Sequence, residues 1–464
     1  MKRFIRNLSY SLSGNILSML TSTGILLFLP KIMGIEDYGY WQLYMFYLVY
    51  TGYLSFGTNE GAFIRYSGKD YSELPKELIS FQYQFLLFIN IAIGFIGFIA
   101  LFFFQLNFTR LVTFWAVIIS TILITPRYFL CNILQATHHF KENTLSVVVE
   151  KMSFLVLFGL LIILGKLSLL SLLVIDILSK VFSTAYIFNK LSDSIFLIVK
   201  FSKASYLEFK LNLILGIKIV ISNLSGLLII GIPRFFIEFY WGVVAFSKVS
   251  LVVSFANLVI TLINSVGFVS LPSLVKVDEN LLKKLYQPTT ELLSLLLGVV
   301  LILYYPLAWF INYWLPNYQG AISYMVFIFP IILFESKMAL LYNTYLKIFR
   351  REDFLMWINL FTVFLTLISC SLLLLLNNSM LLFLILPFIY SCRSFCMEYY
   401  IRKLVGSGFA FTIVLDFLIS LIFMGINLCI RNEMAIVVYI TFLVVVLGIV
   451  FKEVSKLFRL IKPV

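Results

Sequence analysis

Long apolar runs recur along the whole chain, and each run is uniformly apolar. Residues 81–104 and 360–376 are examples. Strands of a membrane β-barrel would instead show segments of ~10 residues in which apolar and polar positions alternate. Apolar runs of about 20 residues are typical of helices that cross a bilayer. The pattern predicts an all-α polytopic membrane protein with about fourteen transmembrane helices, at about 8–29, 41–63, 81–104, 111–135, 145–164, 168–188, 211–232, 243–270, 289–311, 321–345, 354–376, 379–399, 409–430 and 434–451.

The connections between the predicted spans are short, and basic residues are unevenly distributed among them. With a cytoplasmic N-terminus, 23 of the 35 Lys and Arg residues fall on the inner side, five on the outer side and seven inside spans. Cytoplasmic loops of membrane proteins carry an excess of Lys and Arg. The distribution therefore predicts that both termini are cytoplasmic, which requires an even number of spans.

The composition agrees with a protein that lives in lipid. Hydrophobic residues make up 61% of the 464 residues and charged residues 12%, and the mean hydropathy is +1.02. Soluble domains carry about 25% charged residues. The net charge of +13 is explained by cytoplasmic loops, so it does not indicate a nucleic-acid partner. The five cysteines lie in or beside apolar spans and are interpreted as small apolar residues, so we predict no metal site and no cofactor.

A short internal repeat suggests that the chain contains two similar halves. Leu29-Pro30-Lys31 matches Ile232-Pro233-Arg234, and Tyr38-Gly39 matches Trp241-Gly242 at the same offset. Two halves of six spans each, related by an axis along the membrane normal, are a transporter plan. We expect the two prolines to end their helices on the outer side. The predicted division is an N-lobe at 1–190, a C-lobe at 191–400, and two further spans with a cytoplasmic tail at 401–464.

Seven basic residues fall inside the predicted spans, where a charge costs about 2.5–3.5 kcal/mol on insertion scales. Those near span ends, such as Arg127 and Arg393, can extend their charged groups to the lipid headgroups. Lys218 and Lys248 are predicted to lie deeper and have no acidic residue within a helical turn of sequence. They are therefore the best candidates for binding an anion. The candidate cationic site comprises Lys218, Lys248, Arg127, Lys151, Lys180, Lys337 and Arg393.

Acidic residues also lie inside spans and offer an alternative explanation for some of these cations. Asp176 and Lys180 are four residues apart on one helix face, so they can neutralise each other. We regard Glu60, Asp176 and Glu335 as candidates for coupling transport to an ion gradient.

Polar residues follow one face of the first and seventh spans. Asn15, Ser18 and Ser22 recur at helical spacing in the first, and the repeat aligns Asn15 with Lys218. Small hydroxyl residues often only hold helices together. The length of the stripe favours a hydrated surface that faces the substrate. The candidate polar face comprises Asn15, Ser18, Ser22, Ser222 and Ser225.

Motifs of several other protein classes do not occur in the sequence. There is no G-x-x-x-x-G-K-[ST] phosphate loop, no D-x-D pair and no soluble domain that would hold a sugar nucleotide. We therefore predict a protein that is not an enzyme. Any energy for transport would come from an ion gradient or from the membrane potential.

Several short motifs along the chain match a known family. They are Asn7, Gly14-Asn15, Leu29-Pro30-Lys31-Ile32-Met33-Gly34-Ile35-Glu36-Asp37-Tyr38-Gly39, Phe56-Gly57, Gly61, Arg65-Tyr66 and Ile232-Pro233-Arg234-Phe235-Phe236-Ile237-Glu238. These motifs resemble those of the Wzx-type O-antigen or polysaccharide-lipid flippases of the MATE-like (multidrug/oligosaccharidyl-lipid/polysaccharide) exporter superfamily. The resemblance covers the whole chain, with two six-helix halves and two further helices. One departure is Pro233, because many relatives carry an Asp before the Arg at 234.

The resemblance implies movement of an undecaprenyl-pyrophosphate-linked oligosaccharide from the cytoplasmic to the periplasmic leaflet of the bacterial inner membrane. Alternating access would carry it through a cationic central cavity, and the family's habit of placing a basic residue on the eighth span fits Lys248. The implied partners are the lipid-linked glycan, membrane lipids and other membrane proteins of polysaccharide assembly. The alternative is a MATE-type ion-coupled antiporter, which predicts an acid-lined cavity. The first span contains no acidic residue, which favours the flippase.

Overall fold

The computed structural model describes residues 2–195, 202–275, 279–406, 411–430 and 432–461, and its described regular structure is entirely helical. Sixteen α-helices follow one another along these residues. They are α1 Lys2–Ile32, α2 Ile35–Thr51, α3 Thr58–Tyr66, α4 Lys76–Phe102, α5 Phe108–Ala136, α6 Phe140–Ile163, α7 Leu169–Ile195, α8 Lys203–Val275, α9 Glu279–Val300, α10 Tyr304–Trp314, α11 Ala321–Lys337, α12 Asn343–Ile348, α13 Glu352–Leu374, α14 Leu381–Val405, α15 Phe411–Cys429 and α16 Asn432–Ile461.

The prediction of an all-α polytopic membrane protein is confirmed. Among the described residues, ten helical segments are long and apolar enough to cross a membrane. The longest of them, Lys203–Ser265, covers most of two predicted spans. Shorter apolar helices at Val414–Cys429 and Glu433–Gly448 correspond to the last two predicted spans.

The seventh and eighth predicted spans meet at a single residue rather than at a loop. Gly242 interrupts α8 with φ 78° and ψ 179°, a conformation that glycine adopts without strain. The prediction that Pro233 ends its helix is wrong, because α8 continues for two more turns before this break. Pro30 lies within the last turn of α1, close to the end at Ile32.

The second predicted span is interrupted near its inner end. After α2, a short 3₁₀ helix at Gly52–Ser55 leads to Phe56 and Gly57, both in the left-handed region at φ 52° and 94°. The short helix α3 then begins at Thr58. Hydropathy does not report backbone conformation, so the apolar run concealed this break.

The chain forms two compact units, Met1–Leu224 (unit 1) and Ser225–Val464 (unit 2). The division falls inside α8, and the lobe boundaries expected from the internal repeat stay predictions. Each unit has its own buried core. In unit 1, residues such as Tyr66, Phe129 and Phe209 form a cluster drawn from α3, α5 and α8. In unit 2, a second cluster includes Tyr286 and Tyr342.

Three glycines allow α3 and α8 to approach to backbone contact within unit 1. A Cβ atom on Gly216 would lie 1.8 Å from the carbonyl oxygen of Gly57, and one on Gly61 would lie 1.9 Å from that of Asn212. Real side chains essentially never approach backbone atoms this closely. Both positions therefore require glycine while the two helices keep this spacing.

We expect Gly216→Ala to lower the free energy of unfolding by about 1–3 kcal/mol, because the added methyl group forces α8 away from α3. Thermal unfolding of the purified protein measures the loss. Gly226→Ala is the matched control in the same helix, because the atom nearest to its added Cβ is 3.9 Å away. Equal unfolding midpoints for the two variants would show that the close contact contributes nothing.

Candidate functional site

Arg127 forms a buried ion pair in unit 1. Its guanidinium lies 2.5 Å from the Glu150 carboxylate and donates a hydrogen bond to Ser183 at 2.6 Å. Ser183 in turn contacts Ser146, so the pair connects α5, α6 and α7. Only 4% of Arg127 is exposed. The guanidinium therefore points to Glu150 within the helix bundle, and a carboxylate on the next helix neutralises its charge.

A second buried pair in unit 1 involves Asp176 and Lys180 of α7. Lys180 donates to the Asp176 carboxylate, as the i,i+4 spacing predicts. The Tyr44 hydroxyl, which reaches across from α2, donates to the same carboxylate and lies 2.6 Å from the Ser120 hydroxyl. Both charges are satisfied, and the group ties α2, α5 and α7 together.

Unit 2 contains a larger buried network centred on Lys337, which we call the Lys337 cluster. The Lys337 ammonium donates to Asp416 of α15 and to Ser294 of α9 at 3.0 Å. It lies 3.5 Å from the Glu398 carboxylate of α14. Lys337 and Glu398 are fully buried, and Asp416 is 1% exposed. An ammonium in this position requires nearby carboxylates, because an unpaired charge here would be costly.

Three further side chains complete the Lys337 cluster around Glu398. Arg402 donates to Glu398 at 2.8 Å, and Thr412 donates to it at 2.5 Å. The Tyr342 hydroxyl donates to the other carboxylate oxygen at 2.9 Å. Tyr342 closes a π-helical turn, Met338–Tyr342, that follows α11. Two cations and two carboxylates make the cluster neutral overall.

Arg393 of α14 pairs with Glu335 of α11 at 2.8 Å. Arg393 is mostly buried, whereas Glu335 keeps 27% of its side chain exposed. Beside the pair lies a small cleft. Its lining consists of Phe334, Met338, Tyr342, Tyr390, Arg393 and Ser394.

Lys248 differs from the cations described above, because it has no ion-pair or hydrogen-bond partner among the described residues. It is half-buried in α8, two turns after the break at Gly242. Its side chain passes over Gly320. A Cβ atom added to Gly320 would lie 3.4 Å from the Lys248 Nζ atom. Lys248 therefore lies at the end of unit 2 where α10 and α11 join, closer to a helix end than the sequence suggested.

The remaining candidate residues lie on more accessible surfaces. Lys218 is exposed on α8, Ser222 is half-buried and Ser225 is buried. In α1, Asn15 and Ser22 are exposed and Ser18 is half-buried. The structure thus leaves the polar stripe of α1 open, while Gly14 and Thr21 of the same helix are buried.

Lys151 and Glu60 complete the set of candidates. Lys151 lies 3.8 Å from Glu150 and keeps 29% of its side chain exposed. Glu60 of α3 is half-buried, and one of its carboxylate oxygens is buried without a hydrogen-bond partner. The part of the chain that the structure describes holds no group of three or more His, Cys, Asp or Glu side chains that fits a metal ion.

Sequence reasoning missed most of the partners that neutralise the buried cations. Glu398 and Asp416 lie 61 and 79 residues from Lys337. Arg402 falls between the predicted spans 379–399 and 409–430, yet it is 3% exposed within the Lys337 cluster. The one available signal was that acidic residues inside spans are rare and need a partner.

The chain shares its fold with solved transport proteins, although no protein-family model and no curated protein sequence matches it. The structure of the lipid II flippase MurJ in an inward closed conformation superposes with a TM-score of 0.67 at 15% identity, covering 98% of this chain and 99% of MurJ. An inward-facing multidrug resistance MATE family transporter of the MOP superfamily superposes with a TM-score of 0.58 at 12% identity, covering 84% of this chain and 94% of the transporter. A MOP superfamily transporter from Pyrococcus furiosus superposes with a TM-score of 0.51 at 11% identity, covering 86% of this chain and 93% of that transporter.

These likenesses establish the fold and extend over nearly the whole length of the chain. The expected resemblance to the MATE-like exporter superfamily is therefore confirmed at the level of the fold. The compared proteins are described as flippases or transporters.

Proposed function

We propose that the chain is a flippase that moves an undecaprenyl-pyrophosphate-linked oligosaccharide from the cytoplasmic to the periplasmic leaflet by alternating access. The fold is shared over almost the full length of both chains with a lipid II flippase, which supports a lipid-linked substrate. The sequence motifs that resemble polysaccharide-lipid flippases support a glycan on that lipid. The uneven distribution of basic residues supports an inner-membrane protein with both termini in the cytoplasm.

One observation carries the proposal, namely that Lys248 lies in an apolar helix without a partner among the described residues. A half-buried ammonium with no carboxylate beside it is available to pair with an anion during the working cycle. Carboxylates already satisfy Arg127, Lys180, Lys337 and Arg393. We therefore assign the anionic headgroup first to Lys248. Lysine suits this role because its ammonium is a compact point charge that binds phosphate.

The surroundings of Lys248 favour an anion further. Its side chain lies against Gly320, the residue that caps the amino end of α11, and no side chain caps that helix end. The amino end of a helix carries partial positive charge and free N–H groups. Ammonium and helix end together suit a phosphate better than a cationic drug, which argues against the antiporter alternative. In the orientation that the loops predict, this position faces the periplasmic side.

The glycan needs a hydrated surface, since its hydroxyl groups would lose hydrogen bonds in lipid. The open polar stripe of α1, formed by Asn15, Ser18 and Ser22, fits that need. Lys218 of α8 is exposed and is the second cation that we assign to the headgroup. We assign ion coupling to Glu60, Asp176 and Glu335, of which Glu60 has a buried carboxylate oxygen without a hydrogen-bond partner.

Deletion of the gene in a cell that makes surface polysaccharide tests the proposal. We expect surface polysaccharide to disappear and undecaprenyl-linked repeat units to accumulate in the cytoplasmic leaflet, where a periplasmic ligase does not reach them. A plasmid copy of the gene should restore both. Unchanged polysaccharide together with increased sensitivity to cationic drugs would support the antiporter and contradict the flippase.

A further inference from the structure

The amino-terminal part of α8 is fastened to α3 within unit 1 by a forked ion pair. Arg65 of α3 places Nη1 at 2.8 Å from Oε1 of Glu208 and donates from Nη2 to Oε2 at 2.9 Å. The neighbouring Tyr66 hydroxyl donates to Oε1 of the same carboxylate at 2.8 Å. Two parallel bonds between a guanidinium and a carboxylate fix the direction as well as the distance of the partners. The pair therefore sets how α8 lies on α3.

Asn212, one turn further along α8, extends this contact to α4. It accepts a hydrogen bond from Arg65 at 3.1 Å and donates one to Gln82 at 2.6 Å. Gln82 also donates to the Tyr66 hydroxyl at 3.3 Å. The five side chains form one continuous hydrogen-bonded group. We call this group, together with Gly57, Gly61 and Gly216, the α3–α8 contact.

The backbone around the α3–α8 contact is built so that α3 is a separate element. The left-handed residues Phe56 and Gly57 interrupt helical hydrogen bonding between α2 and α3. The helix α3 is nine residues long. A short helix that follows a break reorients by changing a few backbone dihedrals at that break. Gly57, just before α3, and Gly61, within α3, meet Gly216 of α8 without intervening side chains.

The chemistry of the α3–α8 contact suits an interaction that opens. Arg65 and Glu208 keep 28% and 14% of their side chains exposed, so water can replace each partner when the pair separates. The Lys337 cluster is the contrasting case, since Lys337 and Glu398 are fully buried and would be left without water. Within the α3–α8 contact, Tyr66, Gln82 and Asn212 are buried, so the Arg65–Glu208 pair is the part that can exchange its partners for solvent.

We propose that the α3–α8 contact is a latch that closes in the state described here and opens once in each transport cycle. The helix α8 is the segment that carries the chain from unit 1 into unit 2. Attachment of its first turns to α3 therefore decides whether those turns move with unit 1. This role for Arg65, Glu208 and Asn212 rests on the proposed transport function.

The first experiment asks whether the ion pair holds α8 in place, and it does not depend on transport. Ser205 of α8 is 3% exposed and lies one turn before Glu208, so Ser205→Cys reports when α8 lifts. The reporter is placed in a chain whose five native cysteines are replaced by serine. Arg65→Glu should raise about tenfold the rate at which a soluble maleimide labels the cysteine at position 205. Adding Glu208→Arg to Arg65→Glu exchanges the two charges and should restore the slow rate. Equal rates in all three proteins would overturn the latch.

The second experiment asks whether the contact must open for transport. In the same cysteine-free chain, Arg65→Cys and Glu208→Cys are joined by a bifunctional methanethiosulfonate reagent and released by a reductant. We expect joining to reduce delivery of surface polysaccharide to the level of the gene deletion, with recovery after reduction. The control joins Lys203→Cys to Leu207→Cys, two exposed positions one turn apart on α8, and should leave delivery unchanged.

Continued delivery by the joined protein would show that the contact is permanent and would overturn the latch. Failure of the proposed function looks different, because the chain that keeps Arg65 and Glu208 would then also fail to restore polysaccharide. In that case the labelling rates of Ser205→Cys still decide whether the ion pair opens.

Discussion

Replacement of Lys337 by alanine should be among the most destabilising single changes in the chain, with a loss of about 3–5 kcal/mol in the free energy of unfolding. The reason is that Glu398 and Asp416 face Lys337 in a site that water does not reach. Removing the ammonium leaves the Lys337 cluster with two carboxylates and the single cation Arg402. The measurement is thermal unfolding of the purified protein in detergent, together with its abundance in membranes.

Two further variants separate lost charge balance from lost packing. In Lys337→Met with Asp416→Asn, the site loses one charge of each sign, so we expect the double variant to be more stable than Lys337→Ala alone. Lys151→Ala removes a lysine whose side chain is 29% exposed and lies 3.8 Å from its partner Glu150. It should lower the free energy of unfolding by at most about 1 kcal/mol. A loss for Lys337→Ala as small as that for Lys151→Ala would contradict the account of the Lys337 cluster.

Replacement of Lys248 by alanine should lower transport at least about tenfold while leaving protein abundance unchanged. The expected change in function follows from a lost charge–phosphate contact, which is worth about 1.5–3 kcal/mol. Stability should be kept, because Lys248 has no partner among the described residues that would be left unpaired. Surface polysaccharide in a deletion strain that carries the variant gene measures the effect, and quantitative immunoblotting measures abundance.

Conservative and neighbouring variants sharpen the test of Lys248. Lys248→Arg keeps the charge and should retain part of the activity, with the remaining loss due to the larger, planar guanidinium. Gly320→Val should also reduce transport, because its side chain would occupy the space that Lys248 crosses. Lys166→Ala, which changes an exposed loop lysine, is the control and should behave as the unmodified protein. Full transport by Lys248→Ala would remove this residue from the site.

The sequence was sufficient to predict the all-α class and most of the helices. Lipid requires each crossing segment to be continuously apolar, so the signal is local and can be counted along the chain. The Asp176–Lys180 pair was also predictable from a local signal, because residues four apart share a helix face. The absence of a nearby acid in the sequence made Lys218 and Lys248 candidates for binding an anion, and that role stays a prediction.

The rest depended on contacts between residues distant in sequence. The partners of Lys337 come from three other helices, and no periodicity within α11 indicates which acidic residues those helices present. The break at Phe56–Gly57 was hidden because backbone dihedrals leave no trace in hydropathy. The close approach of Gly216 to Gly57 was hidden because a glycine is ordinary in a membrane helix.

The most direct test of the central claim is translocation by the purified protein in vesicles. A fluorescent undecaprenyl-pyrophosphate oligosaccharide is placed in the inner leaflet, and its arrival outside is followed by quenching with a membrane-impermeant reagent. We predict translocation by the unmodified chain, retention of part of the rate by Lys248→Arg, and loss to the rate of protein-free vesicles by Lys248→Ala. A rate for the unmodified chain equal to that of protein-free vesicles, or an undiminished rate for Lys248→Ala, would contradict the account.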